Sequence, residues 1–392
     1  MLEQISPSAG VTVAVAERLA RDTGRAEGLP GSFYVAESFG AEQRDLFPGT
    51  WCAVALGSLI PRPGDIYPVE LAGWPLIILR DGEGQIRAYH NVCRHRGMKF
   101  VTEPCHAKVM RCPWHSWGYG LDGRLLATPD LGGAKLSQAE GFDRGELGLV
   151  PVAVGCWLDL VCVNLDGRAP PFEEYIRPLT DLLAAYDLNG LARIGGGSCR
   201  YAANWKICME GSIEDYHLPF GHPEINAEEL RNSTPIVLGD RVFGVMTEVP
   251  PPPPGSEEEH KPWAAHLPML PMRDGGMPDR MYSLSLFPNT GMLVAFDHVA
   301  FAIYLPDGHG ETRYDYGIYT VEEAAQGDGF AEARQGNLDL WKIVVEQDRP
   351  FWEGVQRTAT TRDQAGIGTR FSPYWEVSVQ GFQQAVAGAL AG

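Results

Sequence analysis

The segment Cys93-Arg-His95, followed after sixteen residues by Cys112-Pro-Trp-His115, decides the fold of the first half of the chain. It places two thiols and two imidazoles on what we expect to be the tips of two hairpins. Four such side chains at this spacing indicate a metal site. A structural zinc site with two cysteines and two histidines is one interpretation.

The order of the four side chains favours a different metal. Each tip carries one cysteine and one histidine, whereas zinc fingers more often pair cysteine with cysteine and histidine with histidine. In a Rieske centre, two histidines replace two cysteines on one iron of a two-iron, two-sulfur cluster. The mixed order therefore favours a Rieske [2Fe-2S] cluster held by Cys93, His95, Cys112 and His115.

Short apolar runs, separated by glycine and proline, surround this segment at residues 51–56, 76–79, 149–154 and 158–164. Such spacing is typical of an all-β domain. Ala169-Pro-Pro171 then reads as a linker. We therefore divide the 392 residues into an N-terminal helical segment (1–45), a Rieske domain (46–168) and a second domain (169–392).

The second domain mixes helix and strand patterns. We predict helices over residues 172–186, 204–216 and 330–356, and strands over 282–287, 292–296 and 314–319. A leading helix is expected over residues 11–23. The proline-rich stretch 250–276 predicts a loop. The fold class is therefore α+β.

A second metal site is predicted in Glu214-Asp-Tyr-His217-Leu-Pro-Phe-Gly-His222. We expect His217 on the last turn of a helix that Pro219 and Gly221 end, so that His222 returns beside it. Two imidazoles and one carboxylate make the facial triad of non-heme Fe(II) oxygenases. A di-iron site also uses Glu-x-x-His, but it needs two further glutamates on a helical bundle, and the predicted second domain is not all-helical.

Asp348 is the better candidate for the carboxylate than Glu214. Apolar residues at offsets of −10, −7, −4, −3, +4 and +7 place it within an apolar helix stripe. A buried carboxylate is costly unless it is paired or binds a metal. A salt bridge, or a cap at a helix break before Pro350, is the alternative interpretation.

These motifs resemble one family over nearly the whole chain from Trp51. Five segments are similar to signatures of Rieske non-heme iron (ring-hydroxylating) oxygenases, terminal oxygenase alpha subunits. They are Asn91-Val-Cys-Arg-His-Arg-Gly97, Cys112-Pro-Trp-His-Ser-Trp-Gly-Tyr119, Asn204-Trp-Lys206, Glu214-x-Tyr-His217-x4-His222-Pro223 and Gln347-Asp348. The family often has Tyr in place of Trp114, and many members have Asn in place of Gly211.

The resemblance implies that His217, His222 and Asp348 bind a mononuclear Fe(II). It implies that Glu214 links a cluster histidine of one subunit to an iron histidine of its neighbour in a homotrimer. The second domain would then be a helix-grip fold, an antiparallel sheet around a long helix. The activity implied is that of a mono- or dioxygenase using O2.

Electrons would come from NAD(P)H through a separate ferredoxin or flavin reductase, since no G-x-G-x-x-G fingerprint follows a strand in this chain. The implied substrate is a small organic molecule, oxidised by aromatic ring hydroxylation, as in aromatic hydrocarbon catabolism, or by oxidative N- or O-demethylation. The segment Arg370-Phe-Ser-Pro-Tyr-Trp-Glu376 is similar to members that act on quaternary ammonium compounds. Candidate pocket residues, which could equally be core residues, are Met209, Phe220, Phe287, Phe296 and Tyr304.

The bulk properties exclude some functions. A net charge of −18 argues against nucleic-acid binding. No apolar run is long enough to span a membrane, and no secretion signal is visible, so we expect a cytoplasmic protein. Two alternatives to an oxygenase are a Rieske electron-transfer protein with a non-catalytic ligand-binding domain and a zinc-stabilised interaction protein.

Overall fold

The computed structural model describes residues 12–223, 233–248 and 267–391. These residues form two compact units. One unit is Pro48–Ala169, and the other combines the described parts of Met1–Phe47 and Pro170–Gly392. Of the predicted loop at residues 250–276, residues 250–266 lie outside the described ranges.

The unit Pro48–Ala169 is built from strands. One antiparallel sheet has the order β1-β10-β9-β4-β3-β2-β5, and a smaller one has the order β6-β7-β8. The strands are β1 (Cys52–Leu56), β2 (Asp65–Leu71), β3 (Trp74–Arg80), β4 (Ile86–His90), β5 (Cys105–His106), β6 (Val109–Arg111), β7 (Gly118–Gly120), β8 (Leu125–Ala127), β9 (Pro151–Trp157) and β10 (Leu160–Asn164).

The other unit contains one antiparallel sheet in the order β11-β17-β16-β15-β14-β13-β12. Its strands are β11 (Leu191–Tyr201), β12 (Ser233–Leu238), β13 (Val242–Glu248), β14 (Arg280–Leu286), β15 (Thr290–Val294), β16 (Val299–Pro306) and β17 (Thr312–Val321). All eight residues of β16 are buried, as expected for the continuous apolar run of a strand covered on both faces.

The described residues also contain helices, several of which contact this sheet. In chain order they are α1 (Val13–Leu19), α2 (Ala36–Ala41), α3 (Phe47–Gly49), α4 (Phe172–Leu182), α5 (Trp205–Gly211), α6 (Leu218–Gly221), α7 (Glu322–Gln326), α8 (Ala331–Gln364) and α9 (Val377–Ala391). The hydroxyl of Tyr201 at the end of β11 donates to the Val345 carbonyl at 2.7 Å and fixes α8 against the sheet. The predicted α+β class, with an all-β unit and an antiparallel sheet carrying a long helix, is confirmed.

All four predicted helices have different bounds in the structure. The leading helix is the short α1, the helix expected over residues 172–186 ends at Leu182, and the helix expected over residues 204–216 ends at Gly211. The long helix α8 extends to Gln364 and continues through Pro350, so the interpretation of Asp348 as the cap of a break at Pro350 is wrong. Asp348 lies inside the helix and is 8% exposed.

Candidate metal centres and the adjoining cavity

The two loops of the cluster motif have matching backbone hydrogen bonds. Cys93 N donates to Met98 O at 2.8 Å, and Cys112 N donates to Trp117 O at 2.9 Å. Four residues after each cysteine, Gly97 (φ 74°) and Ser116 (φ 59°) adopt left-handed conformations that turn each loop back. The loops therefore present equivalent positions, Cys93 with His95 and Cys112 with His115.

The four predicted cluster ligands lie together. Both cysteines are buried in the core of the unit, while both histidines are exposed. The Nδ1 atoms of His95 and His115 are 3.2 Å apart. Two nitrogen ligands bound at about 2.1 Å to one ion, at angles between 90° and 109°, lie about 3.0 to 3.4 Å apart. The imidazole pair therefore fits one shared iron.

The thiols lie in a desolvated setting with a polar neighbour. Burial raises the pKa of Cys112, and the adjacent Cys93 raises it further, so without a cation the Cys112 thiolate would be unfavourable. The Tyr119 hydroxyl lies 3.3 Å from Cys93 Sγ and accepts from Arg94 N at 3.0 Å. Because the Tyr119 hydroxyl accepts the bond from Arg94 N through an oxygen lone pair, its own proton is available for a hydrogen bond to the sulfur of Cys93.

The three predicted iron ligands of the other unit form a small triangle. His222 Nε2 lies 3.2 Å from His217 Nε2 and 3.1 Å from Asp348 Oδ1, and His217 Nε2 lies 3.5 Å from the same oxygen. Three ligands about 2.1 Å from one metal and mutually at right angles are about 3.0 Å apart. The triangle therefore fits one face of an octahedral site.

Hydrogen bonds at the other ring nitrogens fix which atoms face the centre of the triangle. Nδ1 of His222 lies 2.9 Å from Gln347 Oε1, and Nδ1 of His217 lies 2.5 Å from Glu214 Oε1. An oxygen acceptor at Nδ1 favours the tautomer with the proton there, which leaves a lone pair on Nε2. Both imidazoles therefore offer lone pairs to the same point as Asp348.

Three converging acceptors call for a cation. The buried Oδ1 of Asp348 has no hydrogen-bond partner among the described residues. Burial disfavours the imidazolium of His217, yet the nearby carboxylates of Asp348 and Glu214 outweigh burial and raise the pKa of His217 to about 10. The same cluster lowers the pKa of Asp348 despite its burial. The site thus attracts positive charge, as a metal-ligand set does.

The local backbone differs from the one we predicted. His217 does not lie on the last turn of a helix but precedes the short helix α6, which contains Pro219 and Gly221. Glu214 lies on the turn before it, and Glu214 Oε2 accepts from the backbone amides of Tyr216 and His217. The carboxylate therefore holds the turn as well as the His217 ring.

A cavity of about 230 Å³ opens beside the triangle. It runs between the sheet and α8, and Tyr304, Tyr314, Trp341, Trp352 and Phe296 supply its aromatic walls. Of the five candidate pocket residues, Phe296 and Tyr304 line it. Met209 and Phe287 are buried elsewhere, and Phe220 is 79% exposed, so its side chain belongs to neither pocket nor core.

Gly211, the residue that departs from the family pattern, faces the cavity at a tight contact. A Cβ atom here would lie 2.3 Å from Trp352 Nε1. The indole therefore occupies the space into which a side chain at position 211 would extend.

Comparison with protein families places both units. Residues 188–392 match the model of the ring-hydroxylating alpha subunit (catalytic domain), and residues 50–139 match that of the Rieske [2Fe-2S] domain. The chain belongs to the ring-hydroxylating alpha subunit family. The resemblance predicted from the motifs is thereby confirmed, and a Rieske [2Fe-2S] cluster and a mononuclear iron are the cofactors of this ring-hydroxylating alpha subunit.

Named relatives of this alpha subunit act on different molecules. The oxygenase subunit of glycine betaine monooxygenase from Chromohalobacter salexigens is 36% identical over 56% of this chain and 48% of its own length. The large oxygenase component of salicylate 5-hydroxylase from a Ralstonia species is 33% identical over 45% of this chain and 44% of its own length. The chain thus spans about half the length of the curated relatives it matches.

Solved structures share the fold. A quaternary ammonium Rieske monooxygenase, described in connection with carnitine oxidation, superposes with a TM-score of 0.75 at 22% identity, covering 95% of this chain and 98% of that one. None of the helices in the described ranges has the length and apolar character needed to cross a bilayer.

Some residues of the site were not predicted. Gln347 was part of the motif, but its position behind His222 was not foreseen, and neither were Asn337 or His298 in the cavity wall. For Asn337 a signal existed, since it precedes Trp341 and Asp348 by four and eleven residues and so falls on the same helix stripe.

Proposed function

We propose that the protein is the terminal oxygenase component of a Rieske non-heme iron oxygenase, which hydroxylates or oxidatively demethylates a small organic substrate. The observation that carries this proposal is the triangle of His217 Nε2, His222 Nε2 and Asp348 Oδ1 at the wall of a cavity. An electron-transfer protein with a non-catalytic domain has no use for such a site, which makes that alternative the weaker one.

The residues divide between two metal groups. Cys93, His95, Cys112 and His115 would hold the cluster, and His217, His222 and Asp348 would hold the iron. When bound, the cluster would supply single electrons and the iron would supply oxygen activation.

The surrounding residues orient and shield this chemistry. Gln347 and Glu214 hold the two imidazoles in the ligating tautomer, and Tyr201 fixes the turn of α8 that carries Asp348. The aromatic and aliphatic wall of the cavity excludes water around the substrate. The substrate would lie between α8 and the sheet, with the bond to be oxidised near the triangle.

The cavity favours a small substrate, because its volume of about 230 Å³ is below the roughly 300–1,000 Å³ of drug-sized pockets. Quaternary ammonium compounds are the first candidates. Relatives named for glycine betaine and carnitine support them, and aromatic rings such as Trp341 and Tyr304 suit an onium group. Aromatic ring hydroxylation is the second candidate, supported by the salicylate 5-hydroxylase relative.

The partners follow from the same proposal. A separate reductase would deliver electrons from NAD(P)H, and a homotrimer would bring the cluster of one subunit to Glu214 of the next. The Glu214 side chain is 10% exposed and already contacts His217 within its own chain.

Product analysis tests the oxygenase proposal. The iron-loaded full chain, a surrogate reductase, NADH and 18O2 would be incubated with glycine betaine, carnitine, salicylate and naphthalene. We expect labelled product, or formaldehyde from demethylation, with at least one compound. Reduction and reoxidation of the cluster without product from any compound of a broad panel would support the electron-transfer alternative instead.

A further inference from the structure

Trp352 forms the wall of the cavity beside the metal triangle. It follows Asp348 by four residues on α8, which is about one helical turn, so the two side chains lie on the same face of the helix. The indole lines the cavity, and the residue is 5% exposed. The part of a substrate that reaches the triangle therefore lies against this ring.

The indole of Trp352 has no space into which it could retreat. On one side, a Cβ atom on Gly211 would stand 2.3 Å from Nε1 and 3.1 Å from Cδ1, so the ring lies directly on the backbone of α5. On the other side, the ring of Tyr201 packs against it at a centroid distance of 4.6 Å and an interplanar angle of 72°. A ring that is close-packed in this way keeps its position when a ligand binds.

Tyr201 is itself held in place. Its hydroxyl donates to the Val345 carbonyl at 2.7 Å, and the guanidinium of Arg349 lies 5.0 Å from its ring centroid. Arg349 in turn donates to the carbonyl of Arg200 at 2.6 Å. The support behind Trp352 is therefore tied to both α8 and β11.

The sheet side of the cavity is fixed next to the same point. Ser212 Oγ donates to the Cys208 carbonyl at 2.8 Å, so the Tyr304 hydroxyl, 2.6 Å from Ser212 Oγ, is the donor of their hydrogen bond. Ser212 and Tyr304 both line the cavity, and Ser212 follows Gly211 directly. Trp352 and Tyr304 therefore contact consecutive residues at the end of α5, one from the helix side of the cavity and the other from the sheet side.

The shape of the cavity also indicates a narrow space. Its α8 wall extends over the fifteen residue steps from Asn337 to Trp352, which is about 22 Å of helix axis at about 1.5 Å per residue. A volume of about 230 Å³ along this length makes the cavity slender. A rigid apolar wall separates ligands that differ by one methylene about 10–200-fold. A terminal methyl group therefore fits beside the triangle better than the edge of an aromatic ring.

We propose that Trp352 determines the specificity of this site, because it admits a terminal methyl group to the triangle and keeps aromatic rings away from it. The proposal rests on the proposed oxygenase function, and it makes oxidative demethylation, rather than ring hydroxylation, the reaction. The substrate class is then compounds that carry a methyl group on nitrogen or oxygen, with the rest of the molecule extending towards Trp341.

This reaction balances with the partners already proposed. One oxygen atom of O2 enters a C–H bond of the methyl group, and the other leaves as water after uptake of two electrons from NAD(P)H and two protons. The bond between the hydroxylated carbon and its nitrogen or oxygen then breaks, and its electron pair stays on that nitrogen or oxygen. A quaternary ammonium compound thus leaves as a tertiary amine, with formaldehyde and a proton as the other products.

A ligand that carries both kinds of group tests the proposal without turnover. N,N,N-trimethylanilinium has methyl groups and an aromatic ring on one nitrogen, and Co²⁺ in the triangle broadens the proton NMR signals of a ligand in steep dependence on distance. The full chain with its oxidised cluster would be loaded with Co²⁺, and with diamagnetic Zn²⁺ as the reference. We expect the methyl signal to be broadened more strongly than the ring signals. Equal or stronger broadening of the ring signals, or no broadening of either, would overturn the proposal.

Variants assign the preference to the indole. Trp352→Leu should let the ring protons approach the Co²⁺ as closely as the methyl protons, so that the difference in broadening disappears. Trp352→Phe, which retains more of the packing, should reduce the difference. Trp341→Leu is the matched control, because Trp341 lines the same cavity seven residues, about two turns, before Asp348, and it should keep the methyl preference. Equal effects of the two leucine variants, or a preference that persists in Trp352→Leu, would contradict the role of Trp352.

Turnover of the same compound separates this proposal from the oxygenase proposal. With 18O2, a surrogate reductase and NADH, the unmodified chain should release formaldehyde in about tenfold or larger excess over ring-hydroxylated product, and Trp352→Leu should lose this excess. Ring-hydroxylated product in excess would remove the methyl selectivity and leave the oxygenase. Methyl-directed binding that depends on Trp352, with no oxidised product from any compound, would leave the steric role and remove the oxygenase.

Discussion

Gly211 at the end of α5 lies directly against Trp352 of α8, and a Cβ on Gly211 would stand 2.3 Å from the indole nitrogen. Trp352 is one helical turn after Asp348, and its ring also packs 4.6 Å from that of Tyr201. The contact thus sets the distance between α5 and the part of α8 that carries the candidate iron ligand.

Gly211→Ala is therefore expected to destabilise the protein. The methyl group would have to displace an indole packed on both sides, and overpacking of this kind costs about 1–3 kcal/mol. Thermal unfolding checks the effect. Gly336→Ala is the matched control, since Gly336 is an exposed helical glycine with open space around it and should gain about 0.5–1 kcal/mol. Equal behaviour of the two variants would contradict the close contact.

Gln347 is expected to act on metal affinity through His222. Removing the acceptor in Gln347→Leu frees the imidazole to rotate and to change tautomer, and such losses cost about 10–100-fold in affinity. Iron content after dialysis against a graded chelator series measures this, while the EPR signal of the reduced cluster should stay unchanged. Gln335→Leu, on the same helix, should retain iron as the unmodified chain does. Loss of the cluster signal together with the iron would indicate misfolding instead.

Much of this site was visible in the sequence because metal chemistry fixes residue types and spacings. The cluster motif keeps its spacing because each Cys–His pair, Cys93 with His95 and Cys112 with His115, must span one turn of a short loop. Asp348 could be predicted because a carboxylate on the apolar face of a helix is costly to bury unless it is paired or binds a metal.

The path of the backbone between Gly211 and Leu218 could not be predicted in the same way. The local pattern favours one continuous helix, but the structure has a turn whose amides are bound by Glu214. The lining of the cavity also could not be predicted. His298 and Asn337 are 39 positions apart, and only the register of β16 with β17 and the packing of α8 bring both to the wall of one cavity.

Tyr119 is expected to tune the cluster potential. If Cys93 binds the cluster, the Tyr119 hydroxyl at 3.3 Å donates to its sulfur and stabilises the more electron-rich reduced state. Tyr119→Phe should therefore lower the midpoint potential by some tens of millivolts, as about 59 mV corresponds to a tenfold change for one electron. Spectroelectrochemistry measures the shift. Tyr89→Phe, which loses a hydrogen bond to Leu121 O in the same unit, should leave the potential in place.

Glu210 is expected to make stability depend on pH. Burial raises its pKa to about 7, although Tyr34, Gln383, Lys206 and Arg362 all lower it. In the unfolded chain the pKa of a glutamate is about 4.3. Between the two pKa values the folded state therefore binds more protons than the unfolded state, and the free energy of unfolding falls as the pH rises. The loss of stability through this carboxyl reaches about 3–4 kcal/mol by about pH 8.

Urea unfolding between pH 5 and pH 8 tests this dependence. Glu210→Gln can still accept from the Tyr34 hydroxyl but has no charge to bury, so it should be more stable than the unmodified chain at pH 8. The difference between the two should shrink towards pH 5, where Glu210 is protonated. A difference that does not change with pH would show that the carboxyl does not titrate in this range.

Glu214→Gln is expected to keep both metal groups and to lose most turnover. In the family resemblance this carboxylate joins the cluster of one subunit to the iron of the next, and an amide of the same shape still has an oxygen for His217 Nδ1. Iron analysis and cluster EPR should match the unmodified chain, while single-turnover kinetics should show the cluster failing to reoxidise when oxygen and substrate are present. Glu353→Gln provides the control, since it removes a carboxylate on α8 that pairs with Arg349. Full activity of Glu214→Gln would remove the bridge, and loss of iron would mean that the carboxylate acts mainly by holding His217.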